Sequence, residues 1–468
     1  MRRHLRRLFR AALWLGPMVA LCIWIGRAAL PSSATDERNG VLCSAGSAAA
    51  RTPQPERNLL RKVRVDPGGS VQTVPGMPPV LDAGNLYSGT APDRLSPAAG
   101  GALSRVYVPN RRGNSVSVID PATLAVVDRF PVGPSPQHVV PSWDLNTLWV
   151  ANNGARRSSG SLTPIDPKTG TPGSAIPVDD PYNLYFTPDG KSAIVVAERH
   201  KRLDFRDPHT MALQQSIEAP SCSGINHADF SIDGRYAIFT CEFRGGGLVK
   251  IDLVNRKVLG YLRFPKRGMP QDIRISPDGA RFYVADMHAD GVYVVDGDSF
   301  AETDFIPTGI GTHGLYPSRD GKELYVANRG SHSTRGAPHG KGSIAVLDFA
   351  TGKVEHIWSI PGGGSPDMGN VSVDGKQLWL SGRYDNVVYD IDTATGSVRS
   401  IAVGQEPHGL TVWPQPGRYP WGTPAICVSA LAHRRTLRNR NALPITSTEL
   451  MLIAALAIIG LSKRPKAG

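Results

Sequence analysis

The sequence predicts an all-β protein, a seven-bladed β-propeller closed by strands from both termini. Three observations predict it: a recurring turn phrase, its period, and two incomplete ends that complement each other. The phrase is an Asp-Gly or related turn before a short apolar strand that ends in a polar residue. It stands at Trp143-Asp144, Asp189-Gly190, Asp233-Gly234, Asp278-Gly279, Asp320-Gly321 and Asp374-Gly375. Asp-Gly between β-rich runs is a strong hairpin signal, because the favoured tight turns need positive φ. The residues that open the preceding strands are His138, Asn183, His227, Gln271, His313, Asp367 and His408, spaced 45, 44, 44, 42, 54 and 41 apart. A period near 45 with four short strands per unit is the propeller signature.

The elements follow in order within each unit. The second strands include Leu148-Trp149-Val150-Ala151-Asn152 and Phe239-Thr240-Cys241-Glu242. Third strands end in Asp, as in Ile344-Ala345-Val346-Leu347-Asp348. Fourth strands run into Val132-Gly133 or Val403-Gly404. Residues 106–132 supply a second, third and fourth strand, and 408–413 supply a first. Joined, they make the seventh blade and leave no free sheet edge.

The propeller is expected over 101–419. Residues 1–30 read as an export signal or signal anchor, with five Arg in the first ten residues before an apolar run at 11–26. Arg6-Arg7-Leu8-Phe9 loosely resembles a twin-arginine signal. Residues 31–100 are rich in Pro, Ala, Gly and Ser and read as a linker, with 74–80 placed to lie along the domain. Residues 420–468 form a basic tail with a short apolar segment at 450–461. Leu443-Pro444-Ile445-Thr446-Ser447 resembles a cell-wall sorting signal in which Ser447 replaces the Gly.

The net charge of +12 suggests a nucleic-acid partner until it is mapped. Residues 1–30 carry +6 and 415–468 carry +7, which leaves −1 for 31–414. No nucleic-acid surface is expected on a body that is neutral, and membrane contact is expected through the N-terminal segment and the tail. The expected location is extracytoplasmic: membrane-anchored, cell-envelope or secreted. Hydrophobic residues at 41% and charged residues at 20% suit a globular core. The 50 Gly and 39 Pro imply many turns. Five Cys are too few for a disulfide scaffold. Cys222 precedes a first strand and Cys241 ends the adjacent second strand, so the two can form a disulfide or remain buried thiols.

In a propeller the start of the first strand and the end of the second meet on one face. The expected neighbours are His138 with Asn152 or Asn153, Asn183 with Glu198, His227 with Glu242, Gln271 with Asp286, His313 with Asn328, Asp367 with Gly382 or Arg383, and His408 with Asn110. The separation within a blade is 14 or 15. Every opening position is polar where a dry plug would be apolar. With Glu198, Glu242 and Asp286 on consecutive blades, and Arg111, Arg199, Arg329 and Arg383 one step on, this is a mixed-charge funnel mouth. The expected ligand-binding set is therefore His138, Asn183, His227, Gln271, His313, Asp367, His408, Glu198, Glu242, Asp286, Arg329 and Arg383. The same groups would also suit a purely structural role, bonding loop backbone and ordered water. No H-x-x-x-H or C-x-x-C spacing marks a metal site; a divalent metal would use His227 and Glu242. A three-His centre would need side chains that reach across the channel. The loop 330–343 makes the fifth blade longer and lies on the same face, where it reads as a lid, a partner contact or a solvated insertion.

Tyr325-Val326-Ala327-Asn328 and Tyr107-Val108-Pro109-Asn110 resemble the YVTN β-propeller repeat. The chain is similar to bacterial exported YncE-like propellers over about 74–419, and those repeats also resemble the haem d1 domain of cytochrome-type nitrite reductases. The resemblance ends after Tyr419, so the tail from 420 reads as an extension of this chain or a reading-frame artefact. The polar His- and carboxylate-lined mouth reads as a binding module for a small ligand or an envelope protein partner, in a chain expected to be a monomer. Propellers of this kind include lactonases, so a hydrolase or metal-dependent enzyme is a second reading, and a surface scaffold without ligand is a third. Catalytic residues are not identified and an enzyme is the less expected outcome. No C-x-x-C-H motif occurs, so no covalent haem is expected; the cofactor is otherwise open, a divalent metal included.

Overall fold

Among the described residues the strands form seven four-stranded antiparallel sheets. The structure is a computed structural model that describes residues 69–154, 159–266, 268–334 and 341–416. The expected export signal, the tail from 420 and part of the long loop lie outside them. Blade 1 holds Pro136–Pro141, Leu148–Asn152, Ser159–Ile165 and Ile176–Asp179. Blades 2 to 6 follow at 181–218, 225–262, 270–307, 312–359 and 366–402. Blade 7 takes its first strand, Thr411–Trp413, from the C-terminal side and Arg105–Asn110, Ser115–Asp120 and Ala125–Pro131 from the N-terminal side. Val106 lies opposite Val412 in that closure.

Burial falls from the channel outward. Pro181–Phe186 is wholly buried, whereas Leu213–Glu218 on the outer edge is almost wholly exposed. The second strands are covered on both faces, so they are apolar with few interruptions. The core lies between blades: Ile194, Val196 and Phe205 of blade 2 pack on Phe230, Phe239 and Ile251 of blade 3.

The turn phrase has a chemistry that explains its recurrence. A hydroxyl two residues before the Asp donates to its carboxylate: Thr187 to Asp189 at 2.7 Å, Ser231 to Asp233 at 2.7 Å, Ser318 to Asp320 at 2.7 Å. The same carboxylate accepts the backbone N–H two residues on, from Lys191, Arg235 and Lys322. Gly190 sits at φ +71°, and a Cβ there would come within 2.5 Å of the Trp143 ring.

First-strand side chains stitch blades 2 to 7 in succession. Tyr185 accepts from Ala228 N, Asp229 from Ile275 N, Asp272 from Leu315 N, Tyr316 from Gly369 N and Asn370 from Val412 N. Arg274, fully buried, donates to Asp272 at 2.5 Å. Within the stretch read as a linker, residues from Val71 onward are packed on the blades. Val74 N donates to Asp233 O, Leu86 N to Pro277 O, and the Tyr87 hydroxyl to Ile275 O. Val71, Met77, Leu86 and Tyr87 are buried there, which is what holds the segment down.

Candidate functional site

The first strands all begin in one way, and this corrects the expected pairing. Pro136 lies opposite Asn152, Pro181 opposite Ala197, Ile225 opposite Cys241, Pro270 opposite Asp286, Thr312 opposite Asn328 and Pro366 opposite Gly382. The separation is sixteen residues, not 14 or 15. Each pairing then slips by one residue at a bulge. In blade 7, Pro407 takes the same place opposite Asn110. Counted from these positions, the seven opening residues belong to two successive rings. Gln271, His313, Asp367 and His408 share a ring with Gln137, Tyr182 and Asn226. His138, Asn183 and His227 lie one residue deeper, with Asp272, Gly314, Met368 and Gly409. A bulge re-aims side chains in this way because it adds one unpaired residue.

The two rings together bring the histidines into one cluster. The His138 ring lies 5.0 Å from that of His227 and 4.9 Å from that of His408, and His313 lies 6.2 Å from His408. The Tyr182 ring touches three of the four. Glycine makes the room: a Cβ on Gly409 would fall inside the His138 ring. Burial holds all four imidazoles below their ordinary range, His138 at about 3 and His313 at about 4. They are neutral at pH 7.

Asp367 is the counter-charge at the edge of this cluster. Arg329 Nη2 donates to it at 2.5 Å, and Arg383 Nη1 lies at 3.3 Å. His313 Nδ1 and His408 Nδ1 stand 2.9 and 2.7 Å away. Burial alone would raise its pKa, but Arg329, His313, His408 and Arg383 outweigh burial and hold it well below the carboxylate range. With His408 neutral, Nδ1–H donates to Asp367 and Nε2 accepts the Tyr182 proton at 3.1 Å.

Above the histidines opens a cavity of about 450 Å³. The residue that follows each second-strand end lies at its level, and in blade order from 7 to 6 these are Arg111, Asn153, Glu198, Glu242, Met287, Arg329 and Arg383. All but Met287 line the cavity. Glu406 faces them from the strand lead-in and pairs with Arg111 at 2.6 Å, Arg112 at 2.7 Å and Arg383 at 3.4 Å. Glu198 and Glu242 carry no such cation. Burial and then the neighbouring Glu242 and Asp180 raise Glu198 well above its ordinary range. Burial raises Glu242 too, against hydrogen bonds from Gln271 and Asn226 and the fields of Arg329 and Arg383.

Of the expected set, Glu198, Glu242, Gln271, His313, Arg329 and Arg383 line the cavity. His138, His227, His408 and Asp367 form the buried layer beside them. Asn183 joins that layer: its amide lies 3.3 Å from His227 Nδ1 and also donates to the Tyr185 hydroxyl. One residue lies apart. Asp286, one register step short of Glu198 and Glu242, caps the backbone N–H groups of Met269, His288 and Ala289. Arg199, one step beyond, is held by Asp180 at 2.5 Å. Sequence reasoning missed Tyr182, Gln137, Arg112 and Glu406. The Pro that opens five of the seven first strands would have placed Tyr182 and Gln137 in the ring. Thr334 brings the long loop to the cavity wall, and residues 335–340 of that loop lie outside the described residues. Among the described residues no group of three or more His, Cys, Asp or Glu is arranged to hold a metal ion. His138 meets His227 edge to face, as His313 does His408, and His138 is tilted on His408. Cys222 and Cys241 are joined by a disulfide beside the first strand of blade 3.

Fold and channel together define a seven-bladed propeller with an ionisable mouth. The chain belongs to the YNCE-like beta-propeller family, whose model matches residues 73–416. No curated protein matches it in sequence. Among solved structures it is similar to the Kuenenia stuttgartiensis hydrazine synthase, at 20% identity and TM-score 0.51, over 63% of this chain and 94% of that one. It is also similar to a candidate 6-phosphogluconolactonase from Bacteroides uniformis, at 18% identity and TM-score 0.52, over 66% and 99%. The dihydro-heme d1 dehydrogenase NirN matches at 16% identity and TM-score 0.47, over 66% and 75%. Likeness at these identities defines the fold alone.

Proposed function

We propose that this chain is an exported, envelope-associated binding module that takes a small polar ligand, or the charged end of a partner protein, at the channel mouth. One observation carries the reading. The mouth encloses about 450 Å³ between charged side chains, among them Arg329, Arg383, Glu198 and Glu242, that are nearly or wholly buried. Burying charge costs stability unless it is paired, and apolar residues would close a channel more cheaply. A concave, preformed pocket with a few convergent polar groups is the usual form of a small-molecule site. The arginine-rich start before the apolar run at 11–26 supports export, and the Cys222–Cys241 disulfide suits an oxidising compartment.

The test is differential scanning fluorimetry of the full chain against a panel of small polar compounds. At one hundred times its Kd a ligand stabilises by roughly 2.7 kcal/mol, a clear rise in Tm. At least one compound should raise the Tm of the native chain and lose most of that effect with Arg112→Ala. A flat panel would overturn the reading. Protease accessibility in intact cells checks export: the propeller should be cleaved or shed, and full protection inside the cytoplasm would contradict it.

A further inference from the structure

The charges at the mouth are sorted by blade. Arg329, Arg383 and Arg111 occupy consecutive blades 5, 6 and 7, and Arg112 adds a fourth guanidinium beside Arg111. Two carboxylates, Asp367 and Glu406, serve all four. Opposite stand Glu198 and Glu242 on consecutive blades 2 and 3. Asn153 on blade 1 and Met287 on blade 4 separate the arcs with uncharged side chains. One wall therefore carries an excess of cations and the other an excess of carboxylates, with the cavity between.

Among the described residues no cation forms an ion pair with Glu198 or Glu242. Glu198 is only 8% exposed and lines the cavity, yet among the described residues no hydrogen bond or ion pair reaches its carboxylate. Glu242 receives only the neutral amide of Asn226 at 2.9 Å and, on the same side, Gln271. The nearest guanidinium, Arg199, is turned to Asp180. The aromatic side chains Tyr182 and Phe243 stand in the same wall, a surface that suits an ammonium group. Across the cavity Arg112 is 62% exposed in its side chain and keeps donors free for a second acceptor beside Glu406.

Resting on the reading of the mouth as a ligand site, we infer that the ligand is a small zwitterion, with an ammonium end held by Glu198 and Glu242 and a carboxylate or similar anion held by Arg112 and its neighbours. Such a ligand matches both arcs at once and brings no net charge into the channel. A simple anion would leave the glutamates unpaired, and a simple cation would leave the arginine excess unmet.

The test uses the full chain and isothermal titration calorimetry with ω-amino acids as probes: 4-aminobutyrate, 6-aminohexanoate and 8-aminooctanoate. Each is compared with its N-acetyl derivative, which keeps only the anion, and its amide, which keeps only the cation. At least one zwitterion should bind tenfold or more tighter than both blocked forms. Glu198→Gln should erase its advantage over the N-acetyl form, and Arg112→Ala its advantage over the amide, with Tm confirming that both variants fold. A blocked form that binds as tightly as the zwitterion overturns the inference and leaves the mouth a site for single charges. If no probe binds, the inference fails. The reading beneath it fails too only if the broader fluorimetric panel is also flat.

Discussion

Asp367 and Glu198 are both carboxylates buried near the channel axis, and burial acts on them alike, yet their affinities for the proton shift in opposite directions. Asp367 collects Arg329, Arg383, His313 and His408 and stays ionised; Glu198 meets Glu242 and Asp180 and holds its proton more tightly than usual. The histidines are neutral for a third reason, since burial and the nearby arginines outweigh Asp367. This has a consequence for stability. A His that titrates at 6.5 when unfolded and about 4 when folded binds its proton first in the unfolded chain. Its contribution is complete above pH 6.5 and is lost as pH falls from there toward 4, by roughly 3 kcal/mol for His313. The raised glutamates act with the opposite sign, gaining as pH falls toward 4.5, so comparison with a variant isolates the His term. Urea midpoints for His313→Gln should fall less between pH 7 and pH 4.5 than those of the native chain. Parallel curves would contradict the assignment.

At the level of elements, the opening bulge of the first strand decides what reaches the channel. It splits seven polar openings into a mouth ring and a deeper ring. The stitches between blades are the second device at this scale. Asp272 accepts both Arg274 and the Leu315 N–H, so Asp272→Ala leaves a buried guanidinium unpaired. The expected loss is about 3–5 kcal/mol in equilibrium unfolding, with Asp272→Asn retaining part of the stability through Leu315. Equal losses in both variants would show that the inter-blade bond is not what matters. The seven blades and the closure by both ends were legible in the sequence because turn chemistry and period are local and repeat. The register was not, because His138 and His313 look equivalent as residues while their strand offsets differ by one. Pro136, Pro181, Pro270, Pro366 and Pro407 carried that information. The opposition of charged arcs was hidden for a related reason: it depends on which blades are neighbours across the ring, and Arg199 and Asp286 blur the pattern when counted one step off.

For the molecule as a whole, ring closure rests on a three-residue strand, Thr411–Trp413, and on the lead-in that carries Glu406 and His408. Those same few residues complete the seventh blade, pair with three arginines and seat the histidine cluster. A chain ended at Gly404 should lose its cooperative urea transition, since blade 7 would expose Arg105–Asn110 as an unpaired edge and Trp413, 1% exposed in the native chain, would be gone. A truncated chain with an unchanged midpoint and slope would refute the role given to closure. The propeller body is near neutral and its ends carry the basicity, so the fields that matter for recognition are those inside the mouth. The most direct measurement of the central claim is native mass spectrometry of the full chain, titrated with the strongest stabiliser from the fluorimetric panel. The account predicts one molecule bound per chain, with occupancy falling at least tenfold in Glu198→Gln or Arg112→Ala and unchanged in Arg399→Ala on the outer edge of blade 6. Equal occupancy in all three variants, or binding without fixed stoichiometry, would contradict it.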